Sequence, residues 1–281
     1  MREIRCQDIT ATIAKLAQKA AVELPEDVSI ALDRAIAAED FPLAQETLKT
    51  IKHNNEIART TCKPICQDTG MANVYITIGQ EVAITGGSLK DAINKGVAQG
   101  YQDGYLRKSV VDDPLFDRKN TQDNTPALIY IDLVEGDEFK IVFAPKGFGS
   151  ENMSKIKMLK PSEGVAGVRQ FVEEVVTTAS SNPCPPIVVG VGIGGSFDKV
   201  AYLAKQAMLR KIGSHHPDGR YAALEDELLE IVNATGIGPA GLGGKTTALG
   251  LNIETMPTHI AGLPVAVAIC CHVSRHMEAS L

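Results

Sequence analysis

Apolar positions over the first sixty residues recur at helical spacing. Ile9, Ile13, Leu16, Ala17 and Ala20 share one face, and Asp8 or Thr10 is placed to cap the start. Pro25-Glu26-Asp27 opens a second predicted helix, with Val28, Ala31, Leu32 and Ile36 on one side. A third follows Phe41-Pro42 through Leu43, Leu48, Ile51 and Ile57. The period then changes. Residues 73–78 alternate as a strand, with Val74, Ile76 and Ile78 facing one way. Ser88 is placed to cap a helix running from Leu89 to about Tyr105. Strands are predicted over 127–134 and 139–144, and Glu135-Gly136-Asp137 between them reads as a hairpin turn. Farther on, helices over 163–179, 196–210 and 221–234 alternate with strands over 186–191, 247–253 and 265–270. Strands and helices in alternation, with a hairpin among them, predict an α/β fold of mixed sheets with surrounding helices. No Pro/Ser-rich linker divides the chain and no internal repeat is visible. Residues 1–281 are therefore expected to form a single domain, with the helical segment 1–61 packed on it.

Charge and hydropathy narrow the function classes. The chain has 28 basic against 34 acidic residues, net −6, which argues against a nucleic-acid partner. No apolar run approaches the roughly 20 residues of a membrane span, and the N-terminus lacks a signal-peptide core. Together these predict a cytoplasmic protein with no membrane association.

Two glycine-rich stretches imitate nucleotide-binding motifs. Gly190, Gly192 and Gly195 fit G-x-G-x-x-G between an apolar strand and a helix. The acidic residue that a dinucleotide site needs about 20 positions later is missing, however. A tight strand-to-helix turn explains the glycines better. Gly-Leu-Gly-Gly-Lys-Thr-Thr over 241–247 ends like a phosphate-binding loop. Pro239 stands where that motif needs glycine, and the residues that follow look like a strand, so a P-loop is rejected.

The cysteines carry more. Cys6, Cys62, Cys66, Cys184, Cys270 and Cys271 are too many to pass over, and a chain without an export signal is not expected to build a disulfide framework. Buried thiols, a catalytic thiol and metal ligands all remain open. Cys270 ends an apolar run and fits a buried thiol. Cys66, in Pro64-Ile65-Cys66-Gln67-Asp68-Thr69-Gly70, and Cys184, in Asn182-Pro183-Cys184-Pro185-Pro186, sit in loops. Cys271 begins Cys271-His272-Val273-Ser274-Arg275, just past a strand. Cys62 and Cys66 alone would hint at zinc, which wants four closed ligands. Three well-separated cysteines instead suit a 4Fe-4S cluster with one iron left open.

These blocks, in this order, together with Gly190-Val191-Gly192-Ile193-Gly194-Gly195 and His259 upstream of Cys271, resemble class I fumarate hydratases. The likeness is greatest to the alpha subunit of the two-subunit type, shared with L-tartrate dehydratase, and runs from about Ile9 to the last residue. It implies a 4Fe-4S cofactor on Cys66, Cys184 and Cys271, with Cys271 preferred over Cys270. It implies catalytic roles for Asp68 and His259, and substrate contacts from Gln67, Arg107 and the turn containing Gly149. The implied activity is reversible hydration of fumarate to L-malate, with L-tartrate dehydration as the alternative. Leu106-Arg107-Lys108-Ser109 and Asp117-Arg118-Lys119-Asn120-Thr121 look more like fumarase. The implied partners are a small dicarboxylate and a beta subunit in an alpha2-beta2 hetero-oligomer, because no base for the carbon-bound proton is evident here.

Each residue also has a plainer explanation. Asp68 could cap an Asp-Thr-Gly turn. Arg107 could be a solvated helix-end residue. His259 could be an exposed loop histidine, and Lys245 a surface lysine. A non-catalytic cluster-binding scaffold and a zinc-binding structural protein are the readings from other classes.

Overall fold

Of the ten strands and eight α-helices, six strands and seven helices form where the periodicities indicate, and pairing in the sheets defines the further strands. The computed structural model describes residues 1–281, which group into two compact units. Met1–Pro25, Asn54–Phe148 and Arg275–Leu281 make the first; Glu26–His53 and Gly149–Ser274 make the second. The three N-terminal helices α1 (Cys6–Val22), α2 (Glu26–Ala38) and α3 (Pro42–Thr61) are thus shared between both units.

In the first unit, β1 (Arg2–Arg5) pairs in parallel with β3 (Val82–Thr85). A four-stranded sheet has the order β10–β5–β2–β4, from β2 (Met71–Gly79), β4 (Leu128–Val134), β5 (Phe139–Lys146) and β10 (Met277–Ser280). The predicted hairpin between β4 and β5 does not form. β2 lies between them, parallel to β4 and antiparallel to β5. The connection through Gly136 crosses the end of β2, where the Gly79 amide donates to the Glu138 carbonyl at 2.7 Å. A side chain at Gly79 would lie 2.2 Å from the Gly136 carbonyl oxygen, so the crossing requires glycine there. Helix α4 (Leu89–Asp103) begins at Ser88, whose hydroxyl accepts from the Asp91 amide. Gly96 and Gly100 bring α4 against α1: a Cβ there would lie within 3 Å of Thr10 and Ala17. Ile9, Ile13, Ile93, Val97 and Tyr101 close the core over Val74, Ile76, Ile141 and Phe143.

The second unit is a sheet of order β6–β9–β7–β8: β6 (Lys155–Leu159), β7 (Ile187–Gly194), β8 (Ala248–Met256) and β9 (Leu263–Cys270). Both its faces are covered, which is why every residue of β7 is buried. Odd-numbered Val189, Val191, Val265, Val267 and Ile269 pack with α6 (Gly164–Ala179) and α8 (Gly219–Ala234). Even-numbered Val188, Ala266, Ala268 and Cys270 face Val200, Ala204 and Met208 of the α7 region (Phe197–Ala207). Small residues on that side let the helix approach. A Cβ at Gly190 would lie 2.1 Å from the Ala204 carbonyl oxygen, and one at Gly192 2.3 Å from that of Val200. Helix packing therefore accounts for the first two glycines of the dinucleotide-like motif. No helix in the chain is long and apolar enough to cross a membrane.

Candidate functional site

The loop between α3 and β2 is held at both ends. Cys62 leaves α3 with φ +53°, and Gly70 enters β2 with φ +82°. A Cβ on Gly70 would lie 2.8 Å from the backbone of Pro145 and Lys146, so only glycine lets the loop lie against β5. Ile65 anchors the middle: its amide donates to the Ala21 carbonyl, and its carbonyl accepts from Asn54 Nδ2. Cys66 is half-buried, and the Asp68 amide is directed at its Sγ, 3.4 Å away. The Asp68 carboxylate accepts from the Gly70 amide at 3.0 Å and from the Phe148 amide at 2.9 Å. It therefore caps the Asp-Thr-Gly turn and also ties the loop to the start of α5 (Phe148–Glu151). Gln67 is exposed.

Buried donors grip the same loop from beneath. The Tyr101 hydroxyl donates toward the Thr69 and Gly70 carbonyls at 2.9 and 2.7 Å. Burial holds that hydroxyl far above the usual tyrosine range, so it stays a neutral donor. Asn124 donates to the Gly70 carbonyl and accepts from the Ser109 amide. Thr69 Oγ1 donates to the Arg107 carbonyl at 2.8 Å. The segment carrying Arg107 is thereby docked on the loop, after Tyr105 (φ +51°) turns the chain out of α4. Arg275, 5% exposed, donates through Nη2 to the Asp68 carbonyl, while its Nε and Nη1 are buried without a hydrogen-bond partner.

Asp68, Arg107, Ser109 and Arg118 line a cavity of about 490 Å³ in this unit. Met71, Val110, Val111 and Phe148 give it apolar walls. Arg107 is exposed. The rim that carries Arg118 is organised by Asp113. Its carboxylate accepts from the Leu115, Asp117 and Phe116 amides, which holds it below the usual carboxylate range.

The remaining sequence candidates lie in the second unit. Cys184 is exposed and takes φ +55°, next to the cis Pro185–Pro186 peptide. Its carbonyl accepts from the His272 amide at 3.3 Å, so the Cys184 turn is bonded to the residue that follows Cys271. Cys271 is half-exposed just past β9, whereas Cys270 is buried on the face toward α7. The strand's alternation turns one of the two adjacent thiols into the core and leaves the other at its rim. His259 is exposed in the turn between β8 and β9, its Nδ1 accepting from the Ala261 amide. Gly149 is exposed, and a Cβ there would meet nothing within 4 Å. Lys245 is tied to Asp40 at 2.7 Å on the surface; the pairing raises the lysine and lowers the carboxyl.

No three His, Cys, Asp or Glu side chains converge on a single ion position. Sequence reasoning missed Tyr101, Asn124 and the burial of Arg275. Only Arg275 had a signal, its place four residues after Cys271.

A family model described as fumarate hydratase (Fumerase) matches residues 10–280. A Methanocaldococcus jannaschii protein, described as a putative L(+)-tartrate dehydratase subunit alpha, is 44% identical over 273 residues, 95% of each chain. L(+)-tartrate dehydratase subunit alpha of Escherichia coli (strain K12) is 33% identical over 271 residues, 95% of this chain and 88% of that one. The Shigella sonnei protein of the same description matches to the same extent.

Proposed function

The chain belongs to the fumarate hydratase family of hydro-lyases, and we propose that it is the alpha subunit of a two-subunit enzyme that reversibly hydrates fumarate to L-malate. The observation that carries this reading is the cavity of the first unit. There the exposed guanidinium of Arg107 and the Asp68 carboxylate, fixed by two amides, border one space of substrate size. Arg107 holds one substrate carboxylate, for which a planar two-pronged donor is best suited. Asp68 handles the proton of the hydroxyl or of the attacking water, and a carboxylate anchored at both oxygens keeps its direction while doing so. Gln67 offers an amide beside Cys66. Gly149 leaves open space at the start of α5 for a substrate oxygen, and His259 is an exposed proton carrier.

Cys66, Cys184 and Cys271 are the proposed ligands of a 4Fe-4S cluster. Their chemistry fits such a group better than a single ion. Cysteine thiolates are the ligands by which proteins hold such clusters, and Cys66, Cys184 and Cys271 would supply three of them. The amide directed at Cys66 Sγ is a donor that a ligating sulfur accepts. The accessible Cys271 is a better ligand than the buried Cys270. When bound, a cluster with one iron free of protein ligands supplies Lewis acidity toward the substrate hydroxyl.

A second reading, L(+)-tartrate dehydration, is favoured by the relatives' descriptions. Tartrate differs from malate by one further hydroxyl, and a site built for it needs a polar partner there. Met71, Val110, Val111 and Phe148 wall the cavity with apolar groups, and Ser109 and Arg118 are the polar groups there that could meet a second hydroxyl. Removing the carbon-bound proton also needs a base, and this chain offers no evident one. A beta subunit, in an alpha2-beta2 assembly, is proposed to supply it. The test is anaerobic co-expression with the beta chain, followed by iron analysis and assay on fumarate, L-malate and L(+)-tartrate. Turnover of L(+)-tartrate with none of fumarate would replace the first reading by the second. A complex without iron that turns over neither would overturn both.

A further inference from the structure

Three consecutive carbonyls of the 66–70 loop are bound by buried donors. Tyr101 takes those of Thr69 and Gly70, Asn124 joins it at Gly70, and Arg275 takes that of Asp68. Tyr101 and Asn124 are neutral, but Arg275 brings a full positive charge into a place where only 5% of its surface is exposed. A guanidinium has five N–H donors. Here Nη2 is committed to Asp68, and Nε and Nη1 have no acceptor. Filling the same space with an apolar side chain would cost the fold less than burying an unpaired cation. The guanidinium supplies what an apolar group lacks, a rigid planar donor at the Asp68 carbonyl. With it in place, all three oxygens of Asp68 are fixed: the carboxylate by the Gly70 and Phe148 amides, and the carbonyl by Arg275. The peptide plane on the other side of Asp68 is set by its amide, directed at Cys66.

We propose that Arg275 is the positioning residue of Asp68, orienting the carboxylate for proton transfer by pinning the carbonyl of the same residue. This rests on the reading of Asp68 as the proton-handling group of a hydro-lyase. Arg275 touches no reacting atom in this role, so its loss should lower kcat and leave KM nearly alone.

Arg275→Gln and Arg275→Lys in the full chain, assembled with its partner, test this. Amide hydrogen exchange at Gly70 and Phe148 should rise about tenfold or more in Arg275→Gln, with the amides of β2 and β5 at their original rates. In the same variant kcat should fall by about 30-fold or more, with KM within about threefold and iron content unchanged. Arg275→Lys retains one charged donor and should show the same pattern at smaller amplitude. Unchanged exchange at Gly70 and Phe148 would overturn the proposal. So would exchange rising uniformly through β2 and β5, which is general loosening. If Arg275→Gln does not fold, the same readouts on Arg275→Lys decide in the same way. Exchange needs no turnover, so an inactive wild-type complex would count against the hydro-lyase reading, while the amide rates would still decide whether Arg275 fixes Asp68.

Discussion

Asp68 caps its turn and, in the proposed function, is also a reagent, and one substitution separates the two roles. Asp68→Asn keeps one acceptor but turns an NH₂ group toward the other amide, costing about 1–2 kcal/mol of stability. The loss of proton handling should lower kcat by about 10²–10⁴-fold. A thermal melt beside steady-state kinetics checks this, and a shifted melt with unchanged kcat would leave Asp68 as a turn cap alone. Tyr101 makes a different prediction. Its hydroxyl keeps its proton to higher pH in the folded chain than in the unfolded one, where it titrates near pH 10. The stability this contributes is complete below about pH 10 and declines as pH rises beyond it. Tyr101→Phe should cost about 1–2 kcal/mol at neutral pH, because two carbonyls lose a buried donor. It should also flatten the alkaline decline, as urea titrations at pH 8 and pH 11 would register. Cys184 holds a left-handed backbone, which costs a non-glycine residue on the order of 1–2 kcal/mol. In the iron-free chain Cys184→Gly should unfold at the same urea concentration or a higher one, and Cys184→Val at a lower one. Both should fail to assemble the proposed cluster, which iron analysis would establish.

The pairing of β7 with α7 shows how a sequence pattern acquires meaning from what packs on it. Gly190 and Gly192 carry the spacing of a phosphate-binding turn, but they lie within a buried strand beneath a helix. Gly190→Ala would drive a methyl group into the backbone of Ala204, which cannot rotate away. The expected cost is about 3 kcal/mol or more, measured as a lowered melting temperature, with no effect of added dinucleotide on the wild-type melt. The same element explains the paired cysteines. The two-residue period that sends Ala266 and Ala268 toward α7 sends Cys270 there as well, and Cys271 emerges where the strand ends. In the other sheet, β4 and β5 flank β2 rather than each other. A short connection with a central glycine looks the same in sequence whether it joins neighbours or straddles a third strand.

For the whole molecule, chain composition and reaction chemistry point outward. The proposed substrates, fumarate and malate, are dianions at neutral pH, and this chain has a net charge of −6. Holding two carboxylates away from water needs cationic or hydrogen-bonding partners for both. Arg107 and Arg118 both bring exposed guanidinium groups to the cavity that Asp68 lines, while Lys245 is engaged with Asp40, and no base for the carbon-bound proton is evident. The cluster-loaded chain alone should therefore be nearly inactive. Titration with the beta chain should raise turnover by about 10²-fold or more, with saturation at one beta chain per alpha chain. Full activity of the isolated chain would return the search for the base to its own residues, beginning with His259.

Much of this protein is legible without coordinates, because the signals involved are local. Helical and two-residue periods, the Ser88 cap and the strand runs over 187–194 and 263–270 depend on neighbours a few positions away. So do the loop contexts of Cys66, Cys184 and Cys271. Other features are decided by contacts between residues distant in the chain. β1, β3, β6 and β10 are short and lack a full period of their own, so pairing partners define them. The insertion of β2 between β4 and β5 is a choice among pairings that local sequence leaves equivalent. Arg275 reads as one more basic residue near a cysteine. Only folding buries its guanidinium and brings it to the carbonyl of Asp68, 207 positions away, because burial is a property of everything that packs around a side chain.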